Sequence, residues 1–73
     1  MPFSGRKLQA LRKAAGLSQS ELAVKAGLSF RSIQNWEIER RKPKVDALLT
    51  LAKVLGVSLN DFLTPAKARK KRK

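Results

Sequence analysis

Three polar side chains near the middle of the chain have types and a spacing suited to recognising a planar, hydrogen-bonding partner. Arg31, Gln34 and Asn35 fall on one face of a helix, because an α-helix completes a turn in about 3.6 residues. A guanidinium can donate to both acceptors of a guanine edge, and a carboxamide can form two bonds with adenine. The row therefore predicts a helix that reads base edges. For Gln34 and Asn35 the alternative is an ordinary solvated helix surface.

The residues around this row predict two short helices joined by a tight turn. Ser18 can cap the first helix, and Glu21, three residues later, completes a capping box. Gly27 tolerates the positive φ that ends a helix and turns the chain sharply. Ser29 can cap the second helix. The buried face of that second helix is assigned to Ile33, Trp36 and Glu37. The pattern is that of a helix-turn-helix.

The chain from Leu8 to Leu63 resembles the phage-repressor type of helix-turn-helix, also called the XRE-like family. The resemblance rests on an ordered series of residues: Gln19, Glu21-Leu22-Ala23, Gly27, Ser32-Ile33, Trp36-Glu37, Arg40-Arg41, Pro43 and the later LLTLAKVLGVSLNDFL. It implies an all-α, five-helix, phage-repressor-like DNA-binding domain. It also implies a transcriptional regulator, of repressor type, that reads the major groove of double-stranded DNA with residues 29–39.

On DNA, the residues that position the protein and those that read the sequence should be different. The expected base-reading residues are Phe30, Arg31, Gln34 and Asn35. The expected phosphate-binding residues are Gln19, Ser29, Arg40, Arg41 and Lys42. Family members use the glutamine that matches Gln19 in this way. Phe30 could instead make a partial core contact across the turn.

The resemblance also implies a structural ion pair. Glu37 is expected on the inward side of its helix, and a half-buried carboxylate is costly unless it is paired and hydrogen-bonded. Family repressors pair this glutamate with an arginine of the first helix, and Arg12 stands at the matching position. We therefore expect an Arg12–Glu37 salt bridge that orients the reading helix. The alternative is two unrelated surface charges.

Composition limits the partners that the chain can have. Seventeen Lys and Arg against five Asp and Glu give a net charge of +12, which favours a polyanion such as nucleic acid or an anionic membrane surface. No apolar run approaches the roughly 20 residues of a spanning helix, and no signal region is visible. Cysteine and histidine are absent. We therefore expect no enzymatic activity, cofactor, metal or small-molecule ligand, and a soluble, cytoplasmic, DNA-associated protein.

The chain divides into three segments. Residues 1–5 are expected to form an arm, in which Phe3 either packs on the domain or stays exposed. Residues 6–64 form the domain, with helices over 6–15, in the two halves of the motif, over 45–55 and over 59–63. The buried stripe of the fourth helix is assigned to Val45, Leu48, Leu49, Ala52 and Leu55. Residues 65–73 are a basic tail, which is either a disordered solubilising end or a sequence-blind phosphate contact.

Two positions depart from the family pattern. Glu39 stands where the family usually has glycine, and its carboxylate is expected to face the DNA and to weaken binding or exclude some sequences. Lys44 stands where Ser, Thr or Asp commonly caps the next helix, although Asp46 suits the positive end of that helix.

The resemblance implies a weak homodimer that forms mainly on DNA. Its expected contacts are Leu59, Phe62 and Leu63, which otherwise would close the bottom of the core. Two rival functions remain. One is an antitoxin or adaptor whose fold binds another protein, and the other is a sequence-blind binder of nucleic acid or anionic membrane driven by the tail. The polar outward row favours DNA, because a protein-binding face would expose apolar anchors.

Overall fold

Residues 3–63, which the computed structural model describes, form four α-helices and one 3₁₀ helix. The elements are α1 (Gly5–Ala14), α2 (Gln19–Ala26), α3 (Phe30–Glu37), α4 (Val45–Leu55) and the 3₁₀ helix (Leu59–Phe62). Within this part of the chain there is no β-strand, only an isolated antiparallel bridge between Phe3 and Leu63. The all-α class is confirmed. None of these helices is long and apolar enough to cross a lipid bilayer.

The expected fifth helix is a single turn rather than an α-helix. Only four residues lie between Ser58 and the extended Leu63. Their backbone bonds run from Asp61 N to Ser58 O (3.1 Å) and from Leu63 N to Asn60 O (3.0 Å). A segment this short favours the tighter spacing of a 3₁₀ turn, because it cannot complete several α-helical hydrogen bonds.

The helix-turn-helix begins with the capping box predicted from the sequence. Glu21 N donates to Ser18 Oγ (3.0 Å), and Ser18 N donates to Glu21 Oε1 (2.8 Å). The hydrogen bond from the Ser18 backbone lowers the pKa of Glu21 below its usual value. The charged form therefore favours folding, and this contribution is lost as the pH falls through the lowered pKa. Gly27 ends α2 with φ +68°, and Ser29 Oγ accepts from Ser32 N (3.0 Å) to start α3.

The core lies where all these elements meet. Its fully buried side chains are Leu8, Leu22, Ile33, Leu51 and Phe62. On α4 the buried residues are Leu48, Leu51 and Ala52. The stripe predicted for α4 was therefore wrong at two positions, because Val45 and Leu49 are 63% and 52% exposed. The apolar face of α4 is wider than the surface that packs on the core. Helical periodicity alone does not predict which edge of this apolar face is exposed to solvent.

The start and the end of the described chain join at the core. Phe3 is buried, and Ser4 N donates to Phe62 O (2.8 Å). Of the two alternatives for Phe3, packing on the domain is therefore the one observed. Helix α1 begins at Gly5, so residues 3–5 are part of the folded unit rather than of an arm. Residues 1–2, Thr64 and the basic tail over 65–73 lie outside the described residues.

Burial also decides the role of the apolar residues near the 3₁₀ helix. Phe62 is 0% exposed, so it closes the core and has no surface to offer a partner chain. Leu59 and Leu63 are each half-buried. Of the three residues expected at a dimer contact, only these two keep accessible surface.

Candidate nucleic-acid interface

Helix α3 has a buried side and an exposed side. Ile33, Trp36 and Glu37 are buried, as the sequence predicted. On the opposite side Arg31 and Gln34 are exposed and Asn35 is half-buried. Phe30, at the first position of the helix, is 45% exposed and so belongs partly to this outward surface. We call the surface of Phe30, Arg31, Gln34 and Asn35 the reading face.

An ion pair holds the buried side of α3 to α1. Arg12 Nε lies 2.6 Å from Glu37 Oε2, and Arg12 Nη2 donates to Glu37 Oε1 (3.2 Å). The exposed fractions of the two residues are 6% and 9%. Two parallel N–H···O bonds of this kind fix the relative orientation of the two side chains. The pair expected between Arg12 and Glu37 is thus present, and it is buried rather than a surface contact.

Two further groups complete this cluster, and sequence reasoning missed both. Gln19 Nε2 donates to Glu37 Oε1 (3.0 Å), and Arg12 Nη1 donates to the Leu17 carbonyl (2.7 Å). The glutamine that was expected to contact phosphate therefore also holds the carboxylate of α3. Because a carboxamide nitrogen carries two hydrogens, one N–H of Gln19 is left over from this bond.

The carboxyl end of α3 differs from the sequence expectation. Glu39 N donates to Trp36 O (3.1 Å) and Arg40 N to Asn35 O (2.9 Å), which is the pattern of a Schellman motif. Glu39 has the positive φ (+61°) that this motif requires. Its carboxylate accepts a hydrogen bond from Gly5 N (2.8 Å). The carboxylate that was expected to face the DNA is therefore bound to the first residue of α1, while Glu39 itself is exposed.

A basic loop follows the reading face. Arg40, Arg41 and Lys42 are all exposed, and Pro43 behind them is buried. A groove of about 620 Å³ runs between this loop and α4. Its walls include Trp36, and its cationic lining residues are Arg41, Lys42 and Lys44. We call residues 40–42 the basic loop. It presents a concentration of positive charge directly beside the reading face.

Ser29 and Lys44 stand at the starts of the flanking helices. Ser29 Oγ lies 2.8 Å from Ser32 Oγ and also caps α3, so its hydroxyl is engaged within the chain. Lys44 makes no side-chain cap for α4, in agreement with its poor capping chemistry. Among residues 3–63 there is no group of three or more acidic side chains that could hold a metal ion.

A capped helix pair with an exposed polar row and a neighbouring basic loop defines a helix-turn-helix, DNA-binding type of protein. The sequence matches the helix-turn-helix family over residues 8–62. The chain belongs to this family, whose members similar to it are transcriptional regulators rather than enzymes.

Individual relatives agree with this assignment. The chain is 38% identical over 61 residues to y4dJ, an uncharacterized HTH-type transcriptional regulator of Sinorhizobium fredii, and the match covers 84% of this chain and 79% of y4dJ. Two further curated relatives are longer, and the chain spans 52% and 32% of their lengths.

Solved structures show the same fold. The biofilm master regulator SinR, in complex with DNA, superposes with a TM-score of 0.77 at 33% identity, covering 81% of this chain and 98% of that one. The P22 c2 repressor, in complex with a synthetic operator, gives 0.78 at 30% identity, covering 86% and 96%.

Proposed function

We propose that this protein is a sequence-specific transcriptional repressor that binds double-stranded DNA and reads the major groove with α3. The observation that carries the proposal is the reading face, whose three polar side chains can hydrogen-bond base edges and lie on a helix whose opposite side is buried in the core. A helix presented in this way can enter a major groove. The solved structures of SinR and the P22 c2 repressor, both in complex with DNA, support the same docking here.

Base reading is assigned to the four residues of the reading face. Within residues 3–63 the guanidinium of Arg31 has no acidic partner, so it can approach a guanine edge without first breaking an ion pair. Gln34 and Asn35 would pair with adenine, and the exposed part of Phe30 would contact a thymine methyl.

Phosphate binding is assigned to the two flanks of the reading face. On one side stand Gln19, through its remaining N–H, and Ser29, each beside the positive amino end of a helix. To donate to phosphate, the Ser29 hydroxyl would exchange its bond to Ser32 Oγ for one to a phosphate oxygen. On the other side stands the basic loop. DNA backbone running along the groove beside α4, which is lined by Arg41, Lys42 and Lys44 but also by Asp46, would meet the loop.

Replacing Arg31 with alanine should relax sequence preference at one base pair. Loss of a two-bond contact costs roughly 1–3 kcal/mol of discrimination. The measurement is in vitro selection of bound duplexes at physiological salt, with the wild type and the variant in parallel. Lys53→Ala, which removes an exposed cation from α4, is the matched control and should leave the selected sequence unchanged.

An identical selected sequence for the wild type and Arg31→Ala would remove the reading role of this residue. Failure of the wild type to select any sequence would overturn the proposed function itself. The same selection reports half-site symmetry. For a dimer on DNA, half-sites should recur at a centre-to-centre spacing of about 34–36 Å, one helical turn.

Affinity should depend steeply on salt, and the basic loop should account for part of this dependence. Each phosphate that a cation neutralises contributes roughly −0.9 to the slope of log K against log salt. Replacing Arg40, Arg41 and Lys42 with alanine should therefore make the slope shallower by about 2.7 per bound chain. Titrations of a fixed duplex at several salt concentrations measure it. An unchanged slope in the triple variant would show that the loop does not contact phosphates.

Dimer formation and the tail complete the proposal. We place the dimer contact at the accessible parts of Leu59 and Leu63, with assembly mainly on DNA. The basic tail, residues 65–73, would add sequence-blind phosphate contacts. The protein would then be cytoplasmic and DNA-associated. An antitoxin or adaptor function is not favoured, because the outward side of α3 is largely polar.

A further inference from the structure

We infer that Glu39 is a positioning residue: its carboxylate fastens the end of α3 to the start of α1, and so sets the direction in which the basic loop leaves the reading face. The inference rests on the proposed function, because the loop matters only if it contacts DNA. The contact itself is a property of the chain and can be tested without DNA.

The two helix ends are in unusually close contact. A Cβ added at Gly5 would lie 2.5 Å from the carbonyl oxygens of both Trp36 and Glu37, and 2.8 Å from Glu39 Cγ. Only glycine allows this approach without displacing the backbone of one helix. The amino end of α1, where the helix dipole is positive, therefore abuts the carboxyl end of α3, where it is negative.

Glu39 supplies a charge that α1 lacks. The first turn of α1 contains no acidic residue and instead carries Arg6 and Lys7, which oppose the helix dipole. Ser4 caps only Lys7 N (3.2 Å), which leaves the amide of Gly5 without a partner in its own helix. Glu39 Oε2 accepts from that amide at 2.8 Å. A carboxylate from a position 34 residues away thus adds a second side-chain cap to the start of α1.

The backbone of Glu39 shows that this contact is not incidental. Its φ of +61° lies in the left-handed region, which a glycine would adopt at no cost and which a side chain disfavours. The glutamate is nevertheless held in the left-handed conformation, with its carboxylate on α1. The hydrogen bond to Gly5 N fixes the position of Glu39, which directly precedes Arg40, the first residue of the basic loop. Together with the Arg12–Glu37 pair, this makes a second link between α1 and the end of α3.

Three variants separate positioning from simple charge. Glu39→Ala removes the acceptor, Glu39→Gln removes the charge but keeps an acceptor oxygen, and Glu39→Gly removes the side chain while relieving the backbone. Because glycine adopts this φ without strain, Glu39→Gly is expected to fold even if the alanine variant does not. Glu21→Gln removes the same charge from α2 and serves as the matched control. The readout is the ratio of affinities for the duplex selected by the wild type and for a scrambled duplex of equal length.

We expect the affinity ratio to fall about tenfold in Glu39→Ala and Glu39→Gly, which corresponds to about 1.4 kcal/mol. In Glu39→Gln, which keeps an acceptor oxygen, the ratio should return close to the wild-type value. If Glu39 only repels phosphates, all three variants will bind both duplexes more tightly by the same factor. The ratio will then stay constant, and the inference will be overturned.

Hydrogen exchange of the Gly5 amide, followed by NMR on the free protein, tests the contact independently. Loss of a charge-assisted bond should speed this exchange by about tenfold in Glu39→Ala and Glu39→Gly. An unchanged exchange rate of the Gly5 amide in these two variants would overturn the inference, even if the ratio of affinities for the selected and scrambled duplexes fell. If the wild type selects no sequence, both the proposed function and the positioning role fail. The exchange rate of the Gly5 amide still shows, in that case, whether the link between α1 and α3 exists.

Discussion

Replacing Glu37 with alanine is expected to lower the free energy of unfolding by about 3–5 kcal/mol. The substitution leaves the Arg12 guanidinium buried at 6% exposure with no carboxylate to receive its two N–H groups. It also removes the acceptor of Gln19 Nε2. Since small domains have about 5–15 kcal/mol of stability in total, such a loss would unfold a large fraction of the molecules. Urea unfolding followed by circular dichroism measures it.

The double variant Arg12→Met, Glu37→Leu is the control for this prediction. Replacing a whole buried pair with apolar side chains of similar volume is often neutral or stabilising, so the double variant should recover most of the lost stability. An alanine variant within about 1 kcal/mol of the wild type would mean that the pair is solvated in solution, because exposed pairs contribute only about 0–1 kcal/mol.

Replacing Phe62 with alanine should have an effect of similar size, about 3–5 kcal/mol, through the cavity that it leaves in the core. The Phe62 side chain is fully buried. The backbone carbonyl of Phe62, which the substitution keeps, accepts from Ser4 N and joins the two ends of the described chain. Thermal unfolding of the free protein measures the loss. Leu49→Ala, at a leucine that is 52% exposed, is the matched control and should change stability by less than about 1 kcal/mol.

The Phe62→Ala variant also distinguishes a core role for Phe62 from a contact with a partner chain. As a core residue, it should affect the stability of the free chain at every protein concentration. If it instead contacted a partner chain, the alanine variant would keep the melting temperature of the monomer and lose only assembly on DNA. That second outcome would contradict the burial seen here.

The two faces of α3 explain why stability and recognition are linked in this protein. Its inner side is held by the core and by the cluster of Arg12, Gln19 and Glu37, and its end is held to α1 through Glu39. The reading face is therefore carried by a backbone fixed along its length. A backbone held in this way has little freedom left to lose on binding, so the ordering cost falls on the exposed side chains of the reading face, such as Arg31 and Gln34.

Much of this could be predicted from the sequence because the information is local. The capping box of Ser18 and Glu21, the turn at Gly27 and the cap at Ser29 all depend on residues within a few positions of one another. The two sides of α3 follow from helical periodicity, with Ile33 and Trp36 inward and Arg31 outward. The Arg12–Glu37 pair was reached through family resemblance, not through spacing.

The tertiary structure alone decided the features that depend on distant residues. Phe3 could be placed in the core only once the first and last described residues were seen to meet. Gln19 and Glu39 have side chains that could equally well face DNA, and their partners lie 18 and 34 positions away. Periodicity also could not tell which edge of α4 is exposed, because that depends on where the other helices end. By itself, the sequence determined which helices form and which side of α3 is polar, since those depend on neighbours in the chain. Packing between remote segments decided which polar groups remain available for a partner, because a hydrogen or a lone pair already used in a bond within the fold is not free to bind elsewhere.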